Sequence, residues 1–482
     1  MLEAREADAK VKNLYDALTK RRPQLDELDA YYEGRHPLRF ASQEWREYNG
    51  ERYKGFADNW CAVVVDALNE RLKVNGLRTD GSEHLWDDWL RNEMEAQSSQ
   101  GFLQTIAATR SAVIVWRNGD GDPVAQWEPP QNVYVEYDPV DMRTRRFALK
   151  TWMDDTKEFA YLYDDQAVYK FSRPAHFAAN RGSQSGLIVP GTSTAASDGW
   201  DPEQGNDDSW PLRHPMRAVP VVEVKNRPRL RHDPISDIAG TRSMQDAINL
   251  LWAYLFAAAD HASFQARVVM GQEHPKTPVL DGNGQKIGEK PVDLKELRQG
   301  RILWLTGQNA KIGQWDAARL DVFTDVIDIN INHIAAQTRT PAHYFVANKG
   351  MSNLNGETLK ATETPLVKKA DEFQMYASGD VAEIFRLFAR VRGEHELARQ
   401  ISGHHAVWAD KEIRSEAQRS DALLKKKQMG YPLRYLLEED GHSPHEVERI
   451  MQMREEEQIS DPLVAATNAM RQGLPDEPAA GS

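Results

Sequence analysis

Residues 316–338 limit most sharply what this chain can become. Leu320, Phe323, Ile327, Ile331 and Ile334 recur at three- and four-residue spacing, and Val322, Val326 and Ile329 extend the apolar surface; this is the period of a helix. What remains is one narrow stripe, Asp321, Asp325, Asp328 and Asn332, at intervals of four, three and four, which a helix stacks along one side. The pattern predicts a helix buried over most of its circumference with a thin acidic edge. Two readings follow. The edge is the solvated side of an ordinary core helix, or the helix packs beside copies of itself around a ring and the stripe lines the hole. Head-to-tail contacts that close produce such rings. An acidic wall would repel DNA phosphates and prevent the tight binding that stalls movement through the hole.

A second long helix precedes this one. Asp233-Pro234 opens it and it runs to about Phe264, with Ile248, Leu251, Leu255 and Ala258 on one stripe and Trp252 and Phe256 on another. Its apolar run, Leu250 to Ala259, is closed by Asp246 and Asp260. A bilayer span needs about 20 apolar residues, so this is a buried helix and no membrane partner is expected. Between the two helices lies a Gly- and Pro-rich stretch, 271–300, with a hairpin-like turn at Asp281-Gly282-Asn283-Gly284 and then a strand, Arg301–Leu305. Lys276, Lys286, Lys290, Lys295 and Arg298 give this module a basic cast within an acidic chain; they are ordinary solubilising charge or a surface for acidic partners or DNA. Pro341 stops the second helix, and a loop from Phe345 to Asn355 leads into a third, about Glu357–Arg390. Asn348, Lys349, Gly350, Ser352 and Asn353 in that loop either touch phosphates transiently, with Lys349 the only full charge, or simply connect two helices.

The N-terminal half mixes both periods. Residues 11–33 read as a helix with Pro23 as a break or new start, and Asn59–Lys73 as a helix with one apolar face. From Ser111 the alternation is that of strands: 111–117, 124–128, 133–137, 147–153, 159–163 and 167–171, an antiparallel, aromatic-rich region with turn signals at 118–122 and 164–165. Residues 178–210, rich in Gly, Ser, Asn and Asp, read as a long surface loop. Residues 410–459 read as charged helices with a capping box at Ser443-Pro444-His445-Glu446, and the tail after Asp461 as loose.

Bulk properties exclude several classes. The 482 residues suffice for roughly two to four domains. A net charge of −13 argues against a broad basic face gripping nucleic acid. The single cysteine, Cys61, rules out a disulfide within the chain and reads as a small core residue on a helix flank. Met1 to Lys12 is charged throughout, unlike a signal peptide. No phosphate loop, His-Glu-x-x-His or metal-spaced histidine set stands out; Gly282, Gly284 and Gly288 have the wrong last interval for a dinucleotide loop, and Val292 occupies the position where a calcium loop needs Glu. No catalytic residue, cofactor or metal is expected.

Four segments carry a resemblance: Asp58-Asn59-Trp60 through Val63–Ala67 to Glu70–Leu77; Pro129 to Asp138, ending Val135-Glu136-Tyr137-Asp138; Arg339-Thr340-Pro341 through Asn353-Leu354-Asn355-Gly356-Glu357-Thr358-Leu359-Lys360; and Gly430-Tyr431-Pro432 to Glu446. In this order and spacing, over about residues 10–460, the chain resembles the portal proteins of tailed bacteriophages, SPP1-like and of the actinobacteriophage type. The resemblance implies an α+β portal fold: a mixed α/β wing from 1–230 and the long helix 357–390, a two-helix stem from 231–265 and 316–340, a small α/β clip at 266–315, a tunnel loop at 341–356, a helical crown at 391–460 and a flexible tail at 461–482. It implies a non-enzymatic, twelve-membered ring at the capsid vertex through which double-stranded DNA is packaged and ejected. The ring would be embedded in the major capsid protein, dock the terminase large subunit and then the head–tail adaptor, and assemble in the host cytoplasm. The insert 178–210 has no counterpart in that pattern. The alternatives are another virion structural protein, such as a minor capsid or connector component, and an enzyme acting on DNA. Adaptors are generally much shorter and lack a paired stem around a clip. A nuclease or ligase needs a metal–carboxylate or lysine-based site that these residues do not assemble.

Overall fold

The computed structural model describes the chain outside residues 37–38, 41, 44–46, 48–55, 80, 176–198, 204–209, 231, 264–266, 271–275, 281, 283–284, 292–301, 306–318, 346–355, 413–415 and 461–482. The described residues fall into two compact units: a larger one from Met1–Glu33, Cys61–Gly240 and the chain from Thr338 on, and a smaller one from Gly34–Trp60 and Thr241–Gln337.

Helix α1 (Ala4–Tyr32) begins earlier than its apolar period suggests, because Glu3 and Glu6 form a capping box. It also runs straight through Pro23. A proline inside a helix costs about 3 kcal/mol. Ala7, Val11, Leu14, Leu18, Leu25, Leu28 and Tyr31 form one continuous buried stripe across it, and each buried Leu contributes about 1.5–3 kcal/mol, so the stripe outweighs the break. Helix α2 (Trp60–Asn69) buries Cys61 among Val64, Val65 and Leu68 and leads through strand β1 (Val74–Leu77) to helices α3 (Glu83–Arg91) and α4 (Met94–Ala108). The strands follow: β2 (Arg110–Arg117), β3 (Pro123–Glu128), β4 (Val133–Tyr137), β5 (Arg145–Met153), β6 (Lys157–Tyr163), β7 (Ala167–Pro174), β8 (Asp201–Pro202), β9 (Leu212–Arg213) and β10 (Val221–Lys225).

The strand region divides into two sheets, which alternation alone did not reveal. Strands β4 to β8 run in sequence order in one antiparallel sheet, with β9 also on β7, while β2 stands between β3 and β10 in a separate three-stranded sheet. Ala7, Val11 and Leu14 of α1 cover one face of the larger sheet at Leu149, Ala160, Leu162, Tyr169 and Phe171. Its other face packs Val133, Val135, Ala148 and Tyr163 against Ala112, Ile114 and Val221 of the smaller sheet. The segment read as a surface loop is not all loop: Trp200 is buried in the α1 core, and Asp201–Pro202 pairs with Ser172 and Phe171.

In the smaller unit, helix α5 (Arg242–Ser263) is followed by β11 (Arg267–Met270), β12 (Lys276–Leu280), β13 (Lys286–Pro291) and β14 (Ile302–Leu305), then helix α6 (Asp321–Thr338). Strands β12 and β13 form the expected antiparallel hairpin, and β11 lies parallel to β14. Helix α5 starts at Arg242, not at Pro234. The preceding backbone is held elsewhere: the Ile235 carbonyl accepts from Asn226 Nδ2 (2.8 Å) and the Asp237 amide donates to the Ile106 carbonyl (3.2 Å).

Helix α7 (Gly356–Val391) is the axis of the larger unit. Leu366, Phe373, Val381, Ile384, Phe385 and Phe388 are fully enclosed; Phe385 stacks on Trp89 at 5.1 Å and Phe373 meets Phe102 edge-on at 5.5 Å. At its end, Arg392 grips the buried carboxylate of Asp88 with two hydrogen bonds of 2.7 and 2.6 Å. Helix α4 lies so close to β3 that a Cβ on Gly101 would fall 1.9 Å from Trp127 Cε2. The chain closes with α8 (His395–Gln400), β15 (Ala406–Trp408), which pairs with β1, then α9 (Glu416–Gln428), α10 (Leu433–Glu439) and α11 (Pro444–Ser460). The capping box of α11 forms as its spacing predicts: the Ser443 amide donates to Glu446 Oε2 (2.9 Å) and the Glu446 amide to Ser443 Oγ (3.2 Å).

Candidate functional site

Helix α6 carries the residues singled out first, and it has three sides. Ile327, Ile331, Ile334 and Thr338 are buried. Asp321, Asp325 and Asn332 are exposed and Asp328 half-exposed, on one stripe as their spacing requires. The third side differs from expectation: Val322, Val326 and Ile329, read as part of the buried surface, are 51, 40 and 55% exposed. At about 100° per residue these three fall together on a stripe roughly opposite the buried one and about a quarter-turn from the acidic one. A single chain leaves them in water.

The acidic stripe is graded. Arg319 donates to both carboxylate oxygens of Asp321 and holds that carboxyl below its usual range. Asp321 also sits in the first turn, where the helix dipole favours an anion. The Asp325 carboxylate makes no hydrogen bond among the described residues but feels the charge of Arg319. Asn332 turns its amide onto the Asp328 carbonyl at 2.8 Å, inside the stripe.

Helix α5 is clasped by the short segment before α2. Asp58 accepts indole N–H bonds from Trp60 (3.0 Å) and Trp252 (2.8 Å), the Asp58 and Trp60 amides donate to Asn249 and Gln245, and Phe56 packs edge-on against Phe256. Gln245 and Asn249 are buried amides on α5, and the segment before α2 hydrogen-bonds both. Beyond them Leu250, Leu251, Trp252, Tyr254, Leu255 and Phe256 are only half-buried.

The excursion into α5 and α6 starts and ends at one buried ammonium. Lys369 of α7 donates to the Thr338 carbonyl (3.0 Å), where the chain returns, and sits 2.9 Å from Asp237 Oδ2, just before the chain departs. That second contact lies outside hydrogen-bond geometry and is an ion pair. The Asp237 and Lys369 side chains are 0 and 4% exposed. Nearby, Arg339 pairs with Glu372, and Arg71 ties Glu363 to Tyr344 and the Lys411 carbonyl, with His343 on the same carboxylate at 2.7 Å. These contacts hold residues 339–344 to the larger unit. No periodic signal marked Lys369, Asp237 or Arg71; each is a charged residue whose partners lie far away in sequence.

Of the other sequence-derived candidates, Asn348, Lys349, Gly350, Ser352, Asn353, Lys295 and Arg298 lie outside the described residues. Lys276 and Lys290 are exposed. They do not form one patch: Lys290 stands opposite Thr277, one residue from Lys276, so the pleat turns the two side chains to opposite faces. Lys286 stands opposite Leu280 at the turn end of the hairpin, and its side chain lies outside the description. Among the described residues no group of three or more His, Cys, Asp or Glu could hold a metal, and no helix is long and apolar enough to cross a membrane.

Comparison with known proteins bears directly on these features. The family model described as phage portal protein, SPP1 Gp6-like, matches residues 11–460. The portal protein of Mycobacterium phage D29 is 26% identical over 383 residues, covering 75% of this chain and 71% of its own length. The portal protein of Mycobacterium phage L5 is 24% identical with the same coverage. The matched span takes in both long helices, the hairpin module between them and the strap that clasps α5: the chain belongs to the SPP1 Gp6-like family of phage portal proteins.

Proposed function

We propose that copies of this portal protein close into a twelve-membered ring at the capsid vertex, with α5 and α6 as the stem and α6 facing the bore. The three-sided character of α6 carries this reading. One side is covered by the chain itself, one is acidic, and one is apolar and bare. A helix standing beside its own copies around an axis needs those three surfaces: an anchor, a wall and a neighbour contact. The half-buried apolar side chains of α5 ask for the same neighbour. Along the bore the stripe at Asp321, Asp325, Asp328 and Asn332 repels the phosphates of double-stranded DNA, so the duplex slides without binding.

In this reading residues 1–230 with 357–390 are the wing, 266–315 the clip, 341–356 the tunnel loop, 391–460 the crown and 461–482 a tail. The clip docks the terminase large subunit during packaging and the head–tail adaptor afterwards, and the wing meets the major capsid protein. The role is structural; no catalytic group, metal or cofactor is assigned. The protein assembles in the host cytoplasm and ends in the virion. Charge reversal on the bare stripe tests the assembly. Val326→Glu with Ile329→Glu leaves the melting temperature of the monomer unchanged and abolishes rings in native mass spectrometry; intact rings from this variant would refute the neighbour contact.

A further inference from the structure

A cavity of about 820 Å³ opens within the larger unit. The β4–β5 turn, the segment before β10 and the C-terminal half of α7 wall it. Its chemistry is unbalanced. Arg145, Arg386 and Arg390 converge on the single carboxylate of Glu383, at 2.5, 2.7 and 3.7 Å. The Arg390 guanidinium makes no hydrogen bond among the described residues, and burial first, then repulsion from Arg145 and Arg386, lowers its affinity for its proton. Arg143, Arg146 and Arg217 also line the cavity, and their guanidinium groups have neither a hydrogen bond nor an ion pair among the described residues. Of the other acids on the wall, Asp165 and Asp380 stand against seven basic side chains, and Asp164 and Glu223 are already engaged. Asp164 accepts the Gln166 and Ala167 amides and the Tyr169 hydroxyl. Glu223 is held by Arg110, Arg21 and Lys225, with its carboxyl pushed down to about 2 against the cost of burial.

Guanidinium forks that fold into a concave wall without carboxylate partners suit an incoming oxyanion. Three features say which kind. The volume suits a few residues of peptide or a ligand of comparable size, not a duplex. Met142, Phe147 and Val219 add an apolar lining that nucleic-acid backbones do not need. The spread of arginines over three separate elements fits several carboxylates along a chain better than one phosphate. We infer that this cavity is a docking site for an acidic polypeptide segment that alternates carboxylate with apolar side chains. The inference is independent of the ring and of the role given to α6.

The test uses the purified full-length chain and fluorescence anisotropy of a short labelled peptide alternating Glu and Leu. Saturable, salt-sensitive binding is expected, weakened about tenfold by Arg146→Glu and again by Arg217→Glu, each removing one charge-assisted contact. Both side chains are exposed, so unchanged melting temperatures exclude unfolding as the cause; Arg390→Gln shifts affinity the same way. The matching Lys–Leu peptide does not bind. Absence of binding, or equal affinity in the variants, overturns the inference. So does equal competition by a short DNA duplex, which would make this a nucleic-acid site, or full displacement by millimolar inorganic phosphate, which would make it a simple anion site.

Discussion

Lys369→Met is the perturbation whose cost can be worked most fully from the geometry. Methionine keeps most of the aliphatic stem's volume and removes the ammonium. Asp237 Oδ1 retains Asn226 Nδ2 at 3.2 Å and Arg227 at 3.6 Å, but among the described residues Oδ2 meets only Lys369. With the Asp237 side chain 0% exposed, the substitution leaves a buried carboxylate half-uncompensated. Removing one partner of a buried pair costs about 3–5 kcal/mol, and the Thr338 carbonyl loses its side-chain donor as well, worth about 1 kcal/mol. The expected loss is therefore about 5 kcal/mol, measured as a shift of the urea transition. Asp237→Asn added to Lys369→Met should recover part of it, because the stranded charge is gone. The local consequence matters more than the total. Both ends of the α5–α6 excursion lose their common anchor, so amide exchange at Asp237–Gly240 and at Thr338–Thr340 accelerates together. A loss below about 1 kcal/mol, or protection unchanged at both ends, would refute the idea that one ammonium holds them.

Two further substitutions probe the larger unit. Gly101→Ala sets a methyl against Trp127, which is itself fixed by its indole bond to Ser111 Oγ at 2.7 Å; the helix must retreat, at a cost of about 3 kcal/mol by urea unfolding, and a neutral result would show that the α4–β3 contact yields. Asp380 has its carboxyl pushed up to about 7 by burial. The native state therefore holds a proton between about pH 4 and 7 that the unfolded chain has released, and stability falls as pH rises through that window. Asp380→Asn removes the penalty: roughly 4 kcal/mol of gain at pH 8, shrinking to nothing near pH 4, and a gain independent of pH would contradict the assignment.

How far the sequence carries is seen best in particular residues. Strands β2 to β7 fall within about three residues of where alternation places them, since a half-buried strand writes its pleat into its side chains. The capping box at Ser443 and the hairpin around residues 281–284 were equally local and equally legible. The misjudged points are those where a distant partner decides. Pro23 fails to end α1 because the sheet beneath keeps the helix in line. Residues 234–241 stay out of α5 because Asn226 and Ile106 claim their backbone groups. The separation of β2 and β3 from the larger sheet depends on β10, which pairs with β2 from more than a hundred residues away. On α6 the acidic stripe was readable from spacing. That Val322, Val326 and Ile329 are bare was not, because an apolar side chain looks the same in sequence whether its cover comes from its own chain or from a copy. The Lys369–Asp237 pair left no signal for the same reason: a buried lysine on a helix resembles a surface one until its partner is seen.

Electron micrographs of the purified protein test the central claim most directly. Rings with an axial opening wide enough for a duplex are expected, and a reconstruction in which α6 of each subunit stands beside its neighbour with Asp325 and Asp328 toward the opening. Compact monomers, or rings in which Val326 and Ile329 face solvent while the aspartates are enclosed, would contradict it.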